Sequence, residues 1–165
     1  MTIRAIGRLA AVLFAVSVSA TVQAQLSAAA SWAAEVESRY NFAPDLTYVT
    51  ENNTELKLDV YSRRDVQTPQ PTLIFMHGGF WVADSKDSQT LNILPWLEKG
   101  WNVVVVGYRL GGVAPAPAAV VDTFCALRWA GTNAAMYNID TNKIVASGQS
   151  AGGHLALTLG MMSEQ

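Results

Sequence analysis

The chain has 165 residues, which suits a single domain. Half of the residues are hydrophobic, 15% are charged, and the formal net charge at pH 7 is −2. This balance excludes an intrinsically disordered chain, and nothing in it favours nucleic-acid binding, which requires a basic face. Cys125 is the only cysteine, so no disulfide can form within the chain and folding depends on a hydrophobic core.

The first 24 residues are typical of a secretory signal peptide. Arg4 and Arg8 give a positive start, an apolar run covers residues 9–20, and Val22-Gln23-Ala24 offers a cleavage site with small residues. We therefore expect residues 1–24 to be removed and the protein to be secreted or periplasmic. The alternative is a membrane anchor, but the run is shorter than the roughly 20 apolar residues that cross a bilayer, and no later segment is long enough.

A helix and a β-hairpin are predicted next. The Ala-rich residues 26–40 predict a helix, and residues 46–51 and 55–61 predict two short alternating strands. Asn52-Asn53 between these strands is typical of a hairpin turn, and Asn52 also begins a glycosylation sequon whose use depends on the host. The polar residues 63–71 predict a loop.

Three continuous apolar runs then alternate with helical stretches. The runs cover residues 72–76, 103–106 and 144–146, and the helical stretches cover residues 88–99, 118–133 and Gly152 onward. Strands that are buried on both faces have this composition and belong to parallel sheets. The alternation predicts an α/β fold whose sheet is mostly parallel, with right-handed crossovers and an antiparallel hairpin on its N-terminal side.

The segment Gly148-Gln149-Ser150-Ala151-Gly152 fits the pattern G-x-S-x-G. It directly follows the third apolar run and opens the last helix, which is the setting of a nucleophile elbow. In that setting the sharp turn exposes the serine hydroxyl, and the helix start directs free N–H groups at developing negative charge. We predict that Ser150 is a catalytic nucleophile; a glycine-rich turn without chemistry is the alternative.

The segment His77-Gly78-Gly79 follows the first apolar run. Two consecutive glycines let backbone N–H groups approach a ligand closely, and one oxyanion donor is worth roughly 3 kcal/mol in acyl transfer. We predict an oxyanion hole formed by the N–H groups of Gly78, Gly79 and Ala151, with the His77 imidazole supporting the loop. The alternative is a plain turn, which is less favoured because both motifs follow parallel strands at one sheet edge.

These motifs resemble those of the α/β-hydrolase superfamily, and within it of esterases and lipases similar to hormone-sensitive lipase and the feruloyl-esterase-like group. The resemblance runs from about residue 55 to the C-terminus. It implies a carboxylic ester hydrolase that acts on a small-molecule ester without a metal or organic cofactor. The segments that carry it are His77–Trp81, Tyr108–Leu110, Pro117–Asp122, Ala126–Trp129, Tyr137–Asp140 and Gly148–Ala156.

The resemblance also implies a catalytic triad in the order serine, acid, histidine. After Ser150 the sequence holds one acid, Glu164, and one histidine, His154, whose position matches a family residue near the elbow and not the general base. We therefore expect the base and the acid to lie outside this sequence, so that residues 25–165 form a partial α/β-hydrolase domain. Such a domain would end after the elbow helix, leave residues 144–147 as an exposed sheet edge, and be nearly inactive alone.

Several assignments remain open in the sequence. Asp122 could be a triad acid, but an ion pair with Arg109 that holds a loop is favoured because the family acid follows the nucleophile. Phe80, Trp81 and Tyr108 could line an acyl or aryl pocket or belong to the core. The alternatives to an esterase are a prolyl-oligopeptidase-like serine peptidase and a non-catalytic binding module, and the sequence leaves the oligomeric state undetermined.

Overall fold

A computed structural model describes residues 27–162 of the chain. The chain divides into two compact units, residues 1–31 and 32–165. Within the described part of the first unit, Ser27 Oγ accepts a hydrogen bond from the Ala30 N–H and caps the first helix. The second unit contains the sheet. The predicted signal peptide and Glu164 lie outside the described residues, and no described helix has the length and apolarity that a membrane crossing needs.

The strands form one mixed five-stranded sheet in the order β1-β2-β4-β3-β5. Strands β3, β4 and β5 are parallel, whereas β1-β2 and β2-β4 are antiparallel pairs. This arrangement confirms the predicted α/β fold with an antiparallel N-terminal hairpin. The elements are α1 (Ala28–Ser38), β1 (Tyr40–Glu51), β2 (Thr54–Arg63), β3 (Gln70–Met76), a 3₁₀-helix (Lys86–Ser88), α2 (Thr90–Glu98), β4 (Asn102–Val106), α3 (Ala118–Thr132), β5 (Ile139–Gly148) and α4 (Ala151–Met161).

The hairpin turn has the predicted position, but its first strand is longer than predicted. Asn52 and Asn53 both adopt positive φ, at 49° and 61°, as a two-residue hairpin turn requires. Strand β1 begins at Tyr40 and not at residue 46, and it includes Pro44, which is tolerated because β1 is an edge strand. Asp45, with φ 55°, lies where the register of the pair shifts.

The sheet is covered on both faces, as the continuous apolar runs predicted. In β4 the side chains of Val104 and Val106 belong to one buried cluster, and those of Val103 and Val105 belong to the other. Helices α3 and α4 cover the first cluster, while α2 and Val36 of α1 cover the second. Among the described strands, β5 and β1 are the two edges of the sheet.

Candidate active site

The two predicted motifs leave the sheet side by side. Strands β3 and β5 are adjacent and parallel, and Met76 at the end of one pairs with Gly148 at the end of the other. A Cβ atom placed on Gly78 would lie 3.6 Å from Ser150 Cβ and 3.2 Å from the Gln149 carbonyl oxygen. Gly78 therefore lies close beside the turn after β5, and the Gln149 N–H donates to the Met76 carbonyl oxygen at 3.3 Å, so the two motifs meet at the same sheet edge, as the sequence predicted.

The turn at Ser150 has the geometry of a strained elbow. Ser150 is solvent-exposed and adopts φ 52° and ψ −112°, a backbone conformation that costs a non-glycine residue about 1–3 kcal/mol. Gly148 and Gly152, two residues before and two after Ser150, must be glycine because there is no room for a side chain, and not because their φ angles are positive. A Cβ atom would lie 2.5 Å from the Met76 carbonyl oxygen if placed on Gly148, and 2.1 Å from the same oxygen if placed on Gly152.

Three backbone N–H groups surround this turn without a partner. Within residues 27–162, the N–H groups of Gly78, Gly79 and Ala151 donate no hydrogen bond to the protein. Ala151 is the first residue of α4, where the helix dipole favours negative charge. Gly79 has φ 89°, and a Cβ atom there would lie 2.1 Å from the Ala83 carbonyl oxygen, so no other residue fits.

The loop after β3 is held by a buried pair of rings. His77 is 1% exposed, and its ring stacks on Tyr108 with the centroids 4.3 Å apart. The Tyr108 hydroxyl donates to the carbonyl oxygens of His77 and Gly78, each at 2.9 Å, and His77 Nδ1 lies 3.0 Å from the Gly78 carbonyl oxygen. Because a carbonyl only accepts, Nδ1 carries the proton in this contact.

Burial sets the charge state of both rings. It lowers the pKa of His77, although the hydrogen bond to Gly78 opposes the shift, and so it favours the neutral imidazole. It raises the pKa of Tyr108 to about 12, so that the phenol keeps its proton and remains a donor. The sequence had left Tyr108 undecided between pocket and core; at 5% exposure it belongs to the core. Nothing in the sequence indicated that its hydroxyl would reach the loop after β3.

The segment that follows this loop is fixed by a cluster of charges. Lys86 Nζ lies 2.8 Å from Asp45 Oδ1, 2.9 Å from Asp59 Oδ1 and 2.8 Å from Asp87 Oδ1. Burial opposes the charge on Lys86, but the hydrogen bonds to the three carboxylates outweigh burial and raise its pKa. This network ties the 3₁₀-helix to the hairpin and explains how Asp59, 5% exposed, is accommodated inside the protein.

The two aromatic residues that end the loop are not core residues in the described structure. Phe80 is 80% exposed and Trp81 is 40% exposed. Both adopt positive φ, at 55° and 61°. The Trp81 carbonyl oxygen accepts a hydrogen bond of 2.6 Å from the Gly111 N–H, and its ring meets the His154 ring edge-on at 5.3 Å.

Arg109 and Asp122 form the ion pair that the sequence predicted. Arg109 Nη2 lies 2.6 Å from Asp122 Oδ1, Arg109 Nε lies 3.0 Å from both carboxylate oxygens, and the Arg109 backbone N–H donates to Oδ2 at 2.9 Å. Asp122 is fully buried. Both carboxylate oxygens are thus engaged in holding the loop after β4.

Within the described structure, neither of the two histidines makes a hydrogen bond to the Ser150 hydroxyl. The His77 ring is buried against Tyr108, and the His154 ring packs against Trp81 while its backbone N–H donates to the Ser150 carbonyl oxygen at 3.2 Å. In the part of the chain that the structure describes, no group of three or more His, Cys, Asp or Glu side chains could hold a metal ion.

Two curated esterases align with about two thirds of this chain. Esterase LipC of Mycobacterium tuberculosis is 38% identical over 106 residues, a match that covers 63% of this chain and 26% of LipC. Carboxylesterase NlhH of the same species is 32% identical over 111 residues, covering 67% of this chain and 35% of NlhH. The chain thus spans between about a quarter and about a third of the length of these curated relatives.

Solved structures show the same architecture. A thermophilic esterase of Thermogutta terrifontis aligns with a TM-score of 0.64 and 30% identity over 73% of this chain and 43% of its own. A truncated carbohydrate esterase from gut microbiota aligns with a TM-score of 0.66 and 31% identity, covering 73% of this chain and 43% of its own. The BD-FAE family matches residues 58–165, more than half of the chain. The chain has the α/β-hydrolase fold and belongs to the BD-FAE family.

Proposed function

We propose that the protein is a serine-dependent carboxylic ester hydrolase in which Ser150 is the nucleophile. The observation that carries the proposal is the exposed Ser150 with positive φ at the start of α4, beside the Gly78 loop. In the first step Ser150 Oγ bonds to the ester carbonyl carbon and its proton passes to a general base. The alcohol then leaves with that proton, and water hydrolyses the acyl-serine to release the acid.

The unpartnered N–H groups of Gly78, Gly79 and Ala151 are proposed to bind the carbonyl oxygen as it becomes negative. Donors that are already in place need no reorganisation during the reaction, and removing one costs roughly 3 kcal/mol of transition-state stabilisation. His77 and Tyr108 are proposed to support this hole by fixing the Gly78 carbonyl, and with it the direction of the neighbouring N–H groups.

The known relatives support this class of chemistry. LipC and NlhH are an esterase and a carboxylesterase. The Thermogutta terrifontis esterase also occurs as an adduct phosphonylated by sarin, with 30% identity to this chain. A phosphonate captures an activated nucleophile, so we expect a fluorophosphonate to label Ser150. The substrate class is accordingly a small-molecule ester, and no metal or organic cofactor enters the proposed reaction.

The general base and the triad acid are proposed to come from outside residues 27–162. Serine without a base is a weak nucleophile, and in the serine protease subtilisin the loss of the catalytic histidine costs about 10⁶ in rate. The 165-residue chain alone is therefore expected to be nearly inactive. Export after removal of residues 1–24 is the proposed route to the periplasm or the medium.

Hydrolysis of p-nitrophenyl esters by the full-length gene product tests the proposal. We expect Ser150→Ala to abolish both turnover and fluorophosphonate labelling, while Ser147→Ala, three residues earlier on β5, keeps both. Proline anilides distinguish a peptidase of the prolyl-oligopeptidase type, which would cleave them in preference to esters. A folded full-length protein that neither turns over esters nor reacts with the probe would be a binding module, and the proposal would fail.

A further inference from the structure

The proposed oxyanion loop is a tight turn whose shape depends on the residues that follow it. The Gly79 carbonyl oxygen accepts hydrogen bonds from the Val82 and Ala83 N–H groups, each at 2.9 Å. Gly79 also packs so closely on this turn that a Cβ atom placed on it would lie 2.1 Å from the Ala83 carbonyl oxygen. The position of Gly79, and with it the direction of its N–H, therefore depends on where residues 82 and 83 lie.

The turn is joined to the 3₁₀-helix through hydrogen bonds of the Asp84 side chain. Asp84 Oδ1 accepts a hydrogen bond from the Ser85 N–H at 2.8 Å and another from the Ser88 hydroxyl. Asp84 Oδ2 accepts from Gln89 Nε2 at 3.2 Å, and Gln89 is buried. Because Asp84 bonds to the 3₁₀-helix and directly follows the turn, a displacement of this helix would displace the turn as well.

Lys86 attaches the 3₁₀-helix to the sheet. Its Nζ lies 2.9 Å from Asp59 Oδ1 on β2, and the two side chains are only 10% and 7% exposed. Its aliphatic stem lies beside the end of β4, since a Cβ atom placed on Gly107 would lie 3.8 Å from Lys86 Cδ. An exposed ion pair contributes little to stability, but breaking a buried pair leaves a charge without compensation. The pair of Lys86 and Asp59 is therefore suited to hold the segment in one place.

The other two carboxylates that contact Lys86 are exposed. Asp87 is the next residue of the same 3₁₀-helix, so the 2.8 Å pair between Asp87 and Lys86 attaches nothing to the sheet. Asp45 lies on β1, and its backbone N–H donates to Asp59 Oδ1 at 2.8 Å. The attachment thus depends chiefly on Asp59, the one buried carboxylate of the three.

We propose that Lys86 is a positioning residue for the proposed oxyanion hole and that it fixes the direction of the Gly79 N–H through residues 82–85. The inference rests on the proposed function, since this N–H has a task only if an ester carbonyl becomes negative beside Ser150. Tyr108 holds the Gly78 side of the same loop, so the two donors are held from opposite ends of the segment. Lys86 acts through the backbone and is assigned no contact with the ester.

Two variants of the full-length gene product separate positioning from stability. Lys86→Met leaves Asp59 buried without its cation, so urea unfolding should show a loss of stability. In the double variant Lys86→Met/Asp59→Asn no buried charge is left uncompensated, and the amide oxygen can still accept the Asp45 N–H. Stability should therefore return in part while the attachment stays broken. Asp87→Asn, which removes an exposed carboxylate from the same lysine, is the control.

Hydrolysis of p-nitrophenyl acetate gives the first readout, with kcat divided by the number of sites that a fluorophosphonate labels at completion. We expect Lys86→Met and the double variant to lose about tenfold or more in kcat with KM within about twofold, because a misplaced donor weakens an interaction made in the transition state. Asp87→Asn should stay within about twofold of wild type in both constants. A double variant that regains stability together with the wild-type kcat would overturn the proposal.

Inhibition by a trifluoromethyl ketone, 1,1,1-trifluoroheptan-2-one, gives the second readout. Ser150 Oγ adds to its carbonyl carbon, the serine proton passes to the general base, and the carbonyl oxygen becomes the oxyanion. We expect the inhibition constant to rise about tenfold or more in both Lys86 variants and to stay unchanged in Asp87→Asn, since the adduct resembles the transition state. A wild-type inhibition constant in the double variant refutes the positioning role alone. A wild-type protein that neither hydrolyses the ester nor binds the ketone contradicts the proposed function instead.

Discussion

Removing the Tyr108 hydroxyl should damage the proposed oxyanion hole without removing any group that touches a substrate. In Tyr108→Phe the ring remains and can still stack on His77 at 4.3 Å. What disappears is one buried donor, shared at 2.9 Å by the carbonyl oxygens of His77 and Gly78. The variant thus isolates the hydrogen bonds from the packing.

The expected magnitudes follow from that geometry. One buried donor is lost and two buried acceptors are left short of it, which should lower the free energy of unfolding by about 1–3 kcal/mol. The Gly78 carbonyl then loses part of its orientation. A displacement of about 1 Å at a reacting centre can cost about 100-fold, so a loss of about 10- to 100-fold in kcat is expected, with a smaller change in KM. Because the Tyr108 pKa is raised to about 12, the effect should be constant between about pH 6 and pH 9.

Tyr48→Phe is the matched control. The Tyr48 hydroxyl donates at 2.8 Å to the carbonyl oxygen of Gly107, next to Tyr108 in the chain, and the side chain is 9% exposed. Urea unfolding and p-nitrophenyl ester hydrolysis are measured on both variants of the full-length gene product. We expect similar losses of stability and a loss of kcat for Tyr108→Phe alone. Equal kcat for the two variants would refute the idea that Tyr108 positions the loop.

Three further predictions concern groups around the same edge of the sheet. Gly152→Ala should lower the free energy of unfolding by about 3 kcal/mol or more, because its Cβ would lie 2.1 Å from a backbone oxygen. Gly160→Ala on the same helix has nothing within 4 Å of its Cβ and should raise the free energy of unfolding by up to about 1 kcal/mol. Urea unfolding of the two variants measures both effects. Asp122→Asn should destabilise by about 3–5 kcal/mol, since it leaves Arg109 buried beside a neutral group; a stable protein with a rate loss of about 10⁴ would instead favour a triad acid. Burial holds the pKa of His77 below its ordinary 6.5, so the unfolded chain takes up a proton first as the pH falls and the folded state loses stability below pH 6.5. His77→Asn, which keeps a donor for the Gly78 carbonyl, should show a weaker decline between about pH 7.5 and pH 5, and an unchanged decline would assign the pH dependence to other groups.

The parts of the fold that follow from local rules were predictable from the sequence. Continuous apolar runs predicted β3 and β4, and the adjacent residues Asn52 and Asn53 predicted the hairpin turn. Where a strand lies at an edge, local rules fail. The first half of β1 holds Pro44 and pairs along one side only. In the first half of β5, Ile139 is buried and pairs with Gln70, but residues 140–143 are polar and lie in a register shift without partners, so they needed no apolar pattern.

The candidate site divides in the same way. The serine and glycine motifs are local patterns, and the pairing of parallel strands was enough to predict that they meet. Three contacts in the site join residues that are far apart in sequence and were not predicted. They are the hydrogen bonds of the Tyr108 hydroxyl, the Lys86 network, and the edge-on contact between the Trp81 and His154 rings. Their contacts depend on the direction of individual side chains after packing, which neither periodicity nor composition reports.

The pairing of Met76 with Gly148 has a consequence for how this protein can evolve. Point substitutions inside β3 or β5 change packing but leave the two strand ends level. An insertion or deletion of one residue in either strand would shift one end by about 3.3 Å and turn every later side chain to the opposite face. We expect lineages of this protein to vary freely in the lengths of their loops while the lengths of these two strands stay constant.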